Sequence, residues 1–301
     1  MTLAFVTAIA ALIAIGGSVL QQGFKQTETK TFLIQSNAFL PSIFTILQQN
    51  SSDINSSEAL DVLLSVPLFF ENKQNGLMMD ISFTSDASKV NINRLIPSGE
   101  DAVPKPGDAA IPMNPAVEAY LSRILTVYNV SDTILLISMI ADSIDMDTNE
   151  RSTGSEITLN DPDFMQGRLY NMRHFRQVLD AYKRQTLDYN VDDIPWERLI
   201  GFRNDKIDFN HIEPETLQFI DPALDAATLA ELTTKRTETF GRLEELPIMP
   251  ESRQRLKEMG VDFYASNIVG TMNLMSKERK VTYTFAYDLA EQKVSELAVS
   301  N

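Results

Sequence analysis

Residues 145–156, here named the acidic loop, read D-M-D-T-N-E-R-S-T-G-S-E and contain side chains of the types that bind a divalent cation. Loop positions one, three, five and twelve carry side-chain oxygens, from Asp145, Asp147, Asn149 and Glu156. Calcium takes six to eight oxygen ligands, and an EF-hand loop supplies them at these positions together with a backbone carbonyl at position seven, here Arg151. The spacing therefore predicts a calcium site.

The acidic loop departs from a regular EF-hand at its sixth position. An EF-hand needs a glycine there for its sharp turn, and this loop has Glu150, with its glycine at position 154 instead. From the residues alone two interpretations stay open: a calcium site of different geometry, or an acidic loop exposed to solvent. In the first case Glu150 is a further ligand, and the candidate metal ligands are Asp145, Asp147, Asn149, Glu150 and Glu156.

Composition restricts the other kinds of chemistry. A formal net charge of −15 disfavours nucleic acid as a partner, because phosphate binding needs clustered Lys and Arg. The chain has no cysteine, which excludes disulfides and thiolate catalysis, and only two histidines. No sequence of a nucleophile elbow or phosphate-binding loop is present, so we expect no enzymatic activity. A hydrolase with two metal ions bound by the carboxylates of residues 142–156 is the rival hypothesis, disfavoured because no histidine lies nearby in the sequence.

The N-terminal stretch contains the longest apolar segment. No charged residue precedes Lys25, and a helix of residues 1–24 would reach roughly 36 Å, enough to cross a hydrocarbon core of about 30 Å. The stretch lacks the basic beginning of a secretory signal peptide, and apolar residues recur at helical spacing as far as Leu47. We therefore predict a membrane-spanning helix that continues as an amphipathic one. A helix buried in a protein core is the alternative.

The elements that position the acidic loop predict an α+β fold, in which a small antiparallel sheet is interrupted by a large helical domain. Alternating residues at 76–96 and near the C-terminus indicate strands, and helical patterns fill the middle of the chain. Residues 207–250 contain short helices and tight turns typical of helix-hairpin-helix (SAM-like) segments. Their excess of acidic side chains disfavours DNA binding. The predicted parts are residues 1–48, 49–97, 98–260 and 261–301.

Four segments, in this order, resemble the minor pseudopilin K subunit of bacterial type II secretion systems (the general secretion pathway protein K family). They are KVNINRLI (89–96), ADSIDMDTNERSTGSE (141–156), IDFNHIEPETL (207–217) and TFGRLEEL (239–246). The family also lacks the glutamate that other pilins have near their N-terminus, and this chain has no acidic residue before Glu28. The chain departs from the family pattern at Ser143, where an aromatic residue is usual, and at Asp208, His211 and Ile212 in the third segment.

The resemblance implies a pilin-like N-terminal helix at 1–48, a pilin-like module at 49–97 and 261–301, and an inserted helical domain at 98–260. It further implies a subunit at the tip of a periplasmic pseudopilus that nucleates or caps filament assembly for protein secretion. Its expected partners are other minor pseudopilins, the major pseudopilin, the inner-membrane assembly platform and a prepilin peptidase. Its expected location is the inner membrane, crossed once, with the globular part in the periplasm. The resemblance also implies bound calcium. A minor pilin of a type IV or competence system, and a membrane-anchored acidic interaction scaffold, are the alternatives.

Overall fold

The computed structural model describes residues 30–72, 77–97, 111–234, 239–276 and 279–300, without the side chains of residues 30–38 and 72. The chain folds as two compact units. The first combines residues up to Asp86 with those from Tyr264 onward, and the second comprises Ala87–Phe263. Helices and a five-stranded antiparallel sheet are both present, so the prediction of an α+β fold is confirmed.

The helices of the described residues are α1 Lys30–Asn50, α2 Ser57–Ser65, α3 Pro115–Val127, α4 Thr133–Ile144, α5 Met172–Thr186, α6 Trp196–Leu199, α7 Pro214–Ile220, α8 Ala226–Leu232 and α9 Pro250–Glu258. The strands are β1 Leu68–Asn72, β2 Leu77–Ser85, β3 Val90–Asn91, β4 Ile200–Gly201, β5 Ile207–Asp208, β6 Val261–Asp262, β7 Asn267–Ser276, β8 Arg279–Asp288 and β9 Lys293–Ser300.

The first unit is a sheet of order β1-β2-β7-β8-β9, with every neighbouring pair antiparallel. Alternate residues of β2 are buried, from Leu77 to Ser85, because successive side chains of a strand point to opposite faces. Helix α1 contributes Phe39, Leu40 and Ile43 to the core of this unit. The sheet therefore buries one face under apolar side chains that come from both ends of the chain.

The predicted membrane-spanning segment, residues 1–24, lies outside the described residues. Helix α1 is the described part of the predicted N-terminal helix, which was expected to end near residue 48. Among the helices that the structure describes, none combines the length and the apolar character that crossing a membrane requires.

The second unit contains two modules built on the same plan. In the first, β3 pairs in parallel with β4, and in the second β5 pairs in parallel with β6. Each leading strand runs into a short 3₁₀ helix, at Ile92–Leu95 and at Phe209–His211. In each case the last strand residue caps that helix: Asn91 accepts a hydrogen bond from Asn93 N, and Asp208 accepts one from Asn210 N, both at 3.0 Å.

In each module one asparagine side chain forms three hydrogen bonds to main-chain groups. Asn93 donates to the Leu169 and Phe202 carbonyls at 2.8 and 3.0 Å, and its Oδ1 accepts from Leu169 N at 2.8 Å. Asn210 makes the same pattern in the second module, donating to the Phe240 and Phe263 carbonyls and accepting from Phe240 N. The amide therefore joins three stretches of backbone that lie far apart in sequence.

The division into units differs from the boundary placed at residue 98 on sequence grounds. Residues 87–97 belong to the helical unit, because Val90, Ile92 and Leu95 are fully buried in its core. The alternation at 76–96 predicted two strands, but the second is the two-residue β3, followed by the 3₁₀ helix. Asn91, the second residue of β3, caps the 3₁₀ helix and so ends the extended run.

Candidate functional site: the acidic loop

The acidic loop begins where α4 ends. Asp132 starts this helix by accepting a hydrogen bond from Leu135 N at 2.9 Å, as an N-cap does. Every residue from Leu135 to Ile144 is buried, including the polar Asp142 and Ser143 of the last turn. Helix α4 therefore carries Asp142 into the interior of the second unit, next to the start of the loop at Asp145.

Arg151 lies between the carboxylates of Asp142 and Asp145. Its Nε is 2.9 Å from Asp142 Oδ1, an ion pair outside hydrogen-bond geometry, and its Nη2 donates to Asp145 Oδ2 at 2.8 Å. Its Nη1 donates to the Ile111 carbonyl at 2.7 Å. The exposed fraction of the side chain is 9% for Arg151, 0% for Asp142 and 1% for Asp145. The three charges thus form a buried ion cluster.

Hydrogen bonds from the loop complete the environment of Asp142. Its Oδ2 accepts from Arg151 N at 3.1 Å and from the Ser155 hydroxyl, whose oxygen also lies 2.6 Å from the Ser152 carbonyl oxygen. The Oδ1 atom of Asp145 is buried without a hydrogen-bond partner among the described residues. Burial raises the pKa of Asp142, and it raises the pKa of Asp145 to about 6, against the opposing effect of Arg151.

The middle of the acidic loop is more exposed and is fixed by local hydrogen bonds. Asp147 accepts from Asn149 N at 2.7 Å, and Glu150 accepts from Gly154 N at 2.9 Å. Gly154 has a φ of +85°, and an added Cβ would meet Gln185 Oε1 of α5 at 2.6 Å. The positive φ favours glycine at position 154, whereas the exposed Gln185 side chain could move away from an added Cβ.

Glu156, the last residue of the loop, contacts Gln166. The Nε2 atom of Gln166 is 2.7 and 2.8 Å from the two Glu156 carboxylate oxygens. The same atom is 3.0 Å from the Asp147 carbonyl oxygen and 3.2 Å from that of Asp142. A primary amide has two hydrogens, so it cannot satisfy four acceptors at once. Four oxygens therefore converge on one point at Gln166.

The predicted ligands thus separate into three groups. Asp145 is paired with Arg151, Glu156 and the Asp147 carbonyl lie around Gln166, and the side chains of Asn149 and Glu150 are in neither cluster. The described residues contain no group of three or more His, Asp or Glu side chains placed to hold one ion. The Glu156 carboxylate and the Asp147 carbonyl lie together at Gln166, whereas Asp145 lies beside the Arg151 guanidinium.

Sequence reasoning missed two side chains of this site. Arg151 was considered only for its backbone carbonyl, although a basic residue among acidic ones is itself a signal of charge pairing. Gln166 lies beyond the loop, and nothing in its local sequence indicates that it packs against Glu156.

Comparison with solved structures finds another chain whose fold is similar over nearly the whole length of this protein. That other chain is part of the GspK-GspI-GspJ complex of the enterotoxigenic Escherichia coli type 2 secretion system. The TM-score is 0.62 at 13% sequence identity, and the match covers 91% of this chain and 100% of that one. The sequence matches no protein-family profile and no curated protein. The two chains therefore share a fold.

Proposed function

We propose that this chain is a minor pseudopilin of a type II secretion system, which acts at the tip of the pseudopilus and nucleates or caps its assembly. The fold match to a component of the GspK-GspI-GspJ complex carries this proposal, since it covers all of that component. The proposal includes other minor pseudopilins as direct partners. It also includes the major pseudopilin, the inner-membrane assembly platform and prepilin peptidase.

The architecture supports a role at a filament end. A helical unit of residues 87–263 is inserted in the chain between two neighbouring strands of the sheet, and we propose that this added unit ends the filament. The proposed location is the inner membrane, crossed once by residues 1–24, with both units in the periplasm. No step of this role needs catalysis, and the proposal is of a structural, not an enzymatic, protein.

Secretion and capture of partners test the proposal together. Deleting the gene should abolish export of the system's substrates, and the full chain should restore it. The tagged full chain should also capture two other minor pseudopilins from detergent-solubilised membranes, with a strain that lacks those subunits as the control. Normal export in the deletion strain, or a folded chain that captures neither subunit, would overturn the proposal.

The capture experiment also separates the alternatives. A type IV or competence minor pilin would capture pilins of that system, and its deletion would impair pilus assembly or DNA uptake without affecting export. A membrane-anchored acidic scaffold would instead capture a basic partner and no pilin. The fold match favours the secretion system over both.

We propose in addition that the acidic loop binds one calcium ion on its Glu156 side. Support comes from the four oxygens within 3.2 Å of Gln166 Nε2, two of them from the Glu156 carboxylate. Glu156 and the Asp147 carbonyl would hold the ion, with the Gln166 side chain rotated to offer its carbonyl oxygen. Calcium would there supply the positive charge that a buried carboxylate needs.

Melting of the full chain in calcium and in chelator tests this site. A ligand at a hundred times its dissociation constant stabilises the folded state by about 2.7 kcal/mol, which corresponds to a rise in Tm of roughly 5–10 °C. Glu156→Gln should abolish the rise, whereas Asp163→Asn, a change at an exposed acidic residue nearby, should retain it. Equal Tm values for the wild-type chain in both buffers would contradict calcium binding.

A further inference from the structure

We infer that Arg151 takes the place of a metal ion in the acidic loop. Its guanidinium neutralises Asp142 and Asp145, so these two carboxylates need no bound cation. The inference contradicts the assignment of Asp145 as a calcium ligand. It concerns different side chains from the proposed calcium position at Glu156, and it does not depend on the proposed function.

The geometry of the guanidinium carries the inference. Arginine presents its N–H groups as a rigid planar fork, and here each of the three nitrogens has its own oxygen within 2.9 Å. Two of these oxygens are carboxylates, and the third is the Ile111 carbonyl. The Arg151 main chain also participates, because its N–H donates to Asp142 Oδ2. Side chain and backbone of one residue therefore bind the end of α4 to the loop.

Burial makes this pairing necessary. Asp142 and Asp145 lie three residues apart, and a buried charge is very unfavourable unless it is paired and hydrogen-bonded. Without Arg151, two buried carboxylates would lack a cationic partner. Within the described residues, Arg151 is the basic side chain that contacts both.

Arg151 engages Asp145 Oδ2 and makes the carboxylate unfavourable for a metal ion, although Asp145 Oδ1 has no hydrogen-bond partner among the described residues. A cation at Asp145 would lie beside the positive guanidinium, or would require Arg151 to leave all three of its partners. Calcium also prefers several anionic oxygens at 2.3–2.6 Å, whereas the two Asp142 oxygens are already engaged by Arg151 and Ser155. Arg151 therefore takes the role that an ion would otherwise have here.

Thermal unfolding of the full chain in excess chelator tests the role of Arg151 without any metal. Arg151→Met removes the charge and preserves much of the apolar stem, and we expect it to lower Tm by roughly 10 °C, because it leaves two unpaired buried carboxylates. The matched control is Arg173→Met, at an exposed arginine of α5, which should change Tm by less than about 2 °C. Adding Asp142→Asn and Asp145→Asn to Arg151→Met should recover part of the lost stability.

Equilibrium dialysis with calcium alone tests the claim about Asp145. Asp145→Asn should bind the same amount of calcium as the wild-type chain, because that carboxylate belongs to Arg151. If Arg151→Met does not fold, Arg151→Lys provides the stability test: its Tm should lie below wild type, since an ammonium cannot bridge both carboxylates and the Ile111 carbonyl. Loss of bound calcium in Asp145→Asn would overturn the inference, as would Tm values of both Arg151 variants within about 2 °C of the Arg173→Met control.

Discussion

Asp145 combines burial, one hydrogen-bonded oxygen and one oxygen without a partner, and this combination gives it an unusual titration. Desolvation raises its pKa to about 6, and the Asp147 and Asp142 charges act in the same direction. Arg151 opposes the rise and keeps the carboxylate ionised at neutral pH. The group is therefore poised to gain a proton in mildly acidic solution, unlike an exposed aspartate.

This titration predicts a pH dependence of stability. The pKa of Asp145 is higher in the folded state than its usual 3.8, so the folded chain binds this proton more tightly than the unfolded chain does. Proton binding therefore stabilises the folded state. This stabilisation is fully present below pH 4 and is lost as the pH rises through 6. The difference amounts to roughly 3 kcal/mol at full effect, less where water screens the group. Urea unfolding from pH 4 to 7.5 should show this decline in the wild-type chain relative to Asp145→Asn.

The comparison with Asp145→Asn is needed because other groups titrate in the same range. Burial also raises the pKa of Asp142, and it lowers the pKa of His174, which gives the opposite slope. The His174 contribution is common to the two chains, whereas Asp142 shares Arg151 with Asp145, so the comparison reports the titration of the Asp142–Asp145 pair. If the free energy of unfolding changed with pH in the same way for wild type and Asp145→Asn, the raised pKa of Asp145 would be contradicted.

At the scale of single elements, the close packing of β7 against β8 depends on one glycine. Gly270 is opposite Phe285 in the register, and an added Cβ would lie 2.2 Å from the nearest atom of the Phe285 ring. That ring also packs edge-on against Phe44 of α1, with 5.0 Å between ring centroids. The glycine therefore makes room for the aromatic contact between sheet and helix.

We predict that Gly270→Ala destabilises the chain by about 2–4 kcal/mol, because the Phe285 ring must leave its position in a fully packed core. Gly201→Ala in β4 is the matched control, since its Cβ would meet only Lys89 at an ordinary 3.6 Å. Chemical denaturation of both variants measures the difference. Equal stability of the two would show that the Phe285 ring moves at little cost.

Helices and strands were predictable from the sequence where the spacing of apolar residues along the chain indicates them. The helices in the middle of the chain, α4 among them, follow from apolar residues that recur at helical spacing. The short length of β3 was not predicted, because Asn91 ends the strand by accepting a hydrogen bond from Asn93 N, two residues later. Strand β9 was also not predicted as a separate element, since most of its residues are exposed and lack a burial pattern.

The location of the candidate site was predictable from the sequence, but the contacts that Arg151 and Gln166 make there were not. The acidic loop was recognised from its composition, but the direction of the Arg151 side chain depends on the Ile111 carbonyl, forty residues earlier in the chain. Likewise, Gln166 reaches Glu156 only through the folded path of the chain. Contacts of this kind are tertiary, so spacing rules for metal loops could not have found them.

At the scale of the whole molecule, the net charge of −15 is the dominant electrostatic property. Repulsion among surface carboxylates opposes the compact state, and salt screens it over a Debye length that falls from about 30 Å at 0.01 M to about 8 Å at 0.15 M. Exposed ion pairs such as Arg176 with Glu197 weaken with salt but contribute little. We therefore predict that Tm rises by a few degrees over this range of sodium chloride.

The salt measurement should be made in chelator, so that calcium contributes nothing. Arg173→Met, which adds one further net negative charge at an exposed position, should show a slightly larger rise than wild type. A Tm that falls with salt would mean that attractive ion pairs outweigh the net repulsion.

The register of β2 and β7 has a consequence for how such a chain could arise and be re-engineered. Ser85 is directly opposite Ile268, and the Asp86 N–H donates to the Asn267 carbonyl at 3.0 Å, so the chain leaves the sheet and re-enters it at the same place. In topological terms β2 and β7 are a hairpin whose turn has been replaced by residues 87–263. A gene can gain, lose or exchange such a segment without altering the order of any strand. The junction is therefore a natural position at which to graft a reporter or a different domain.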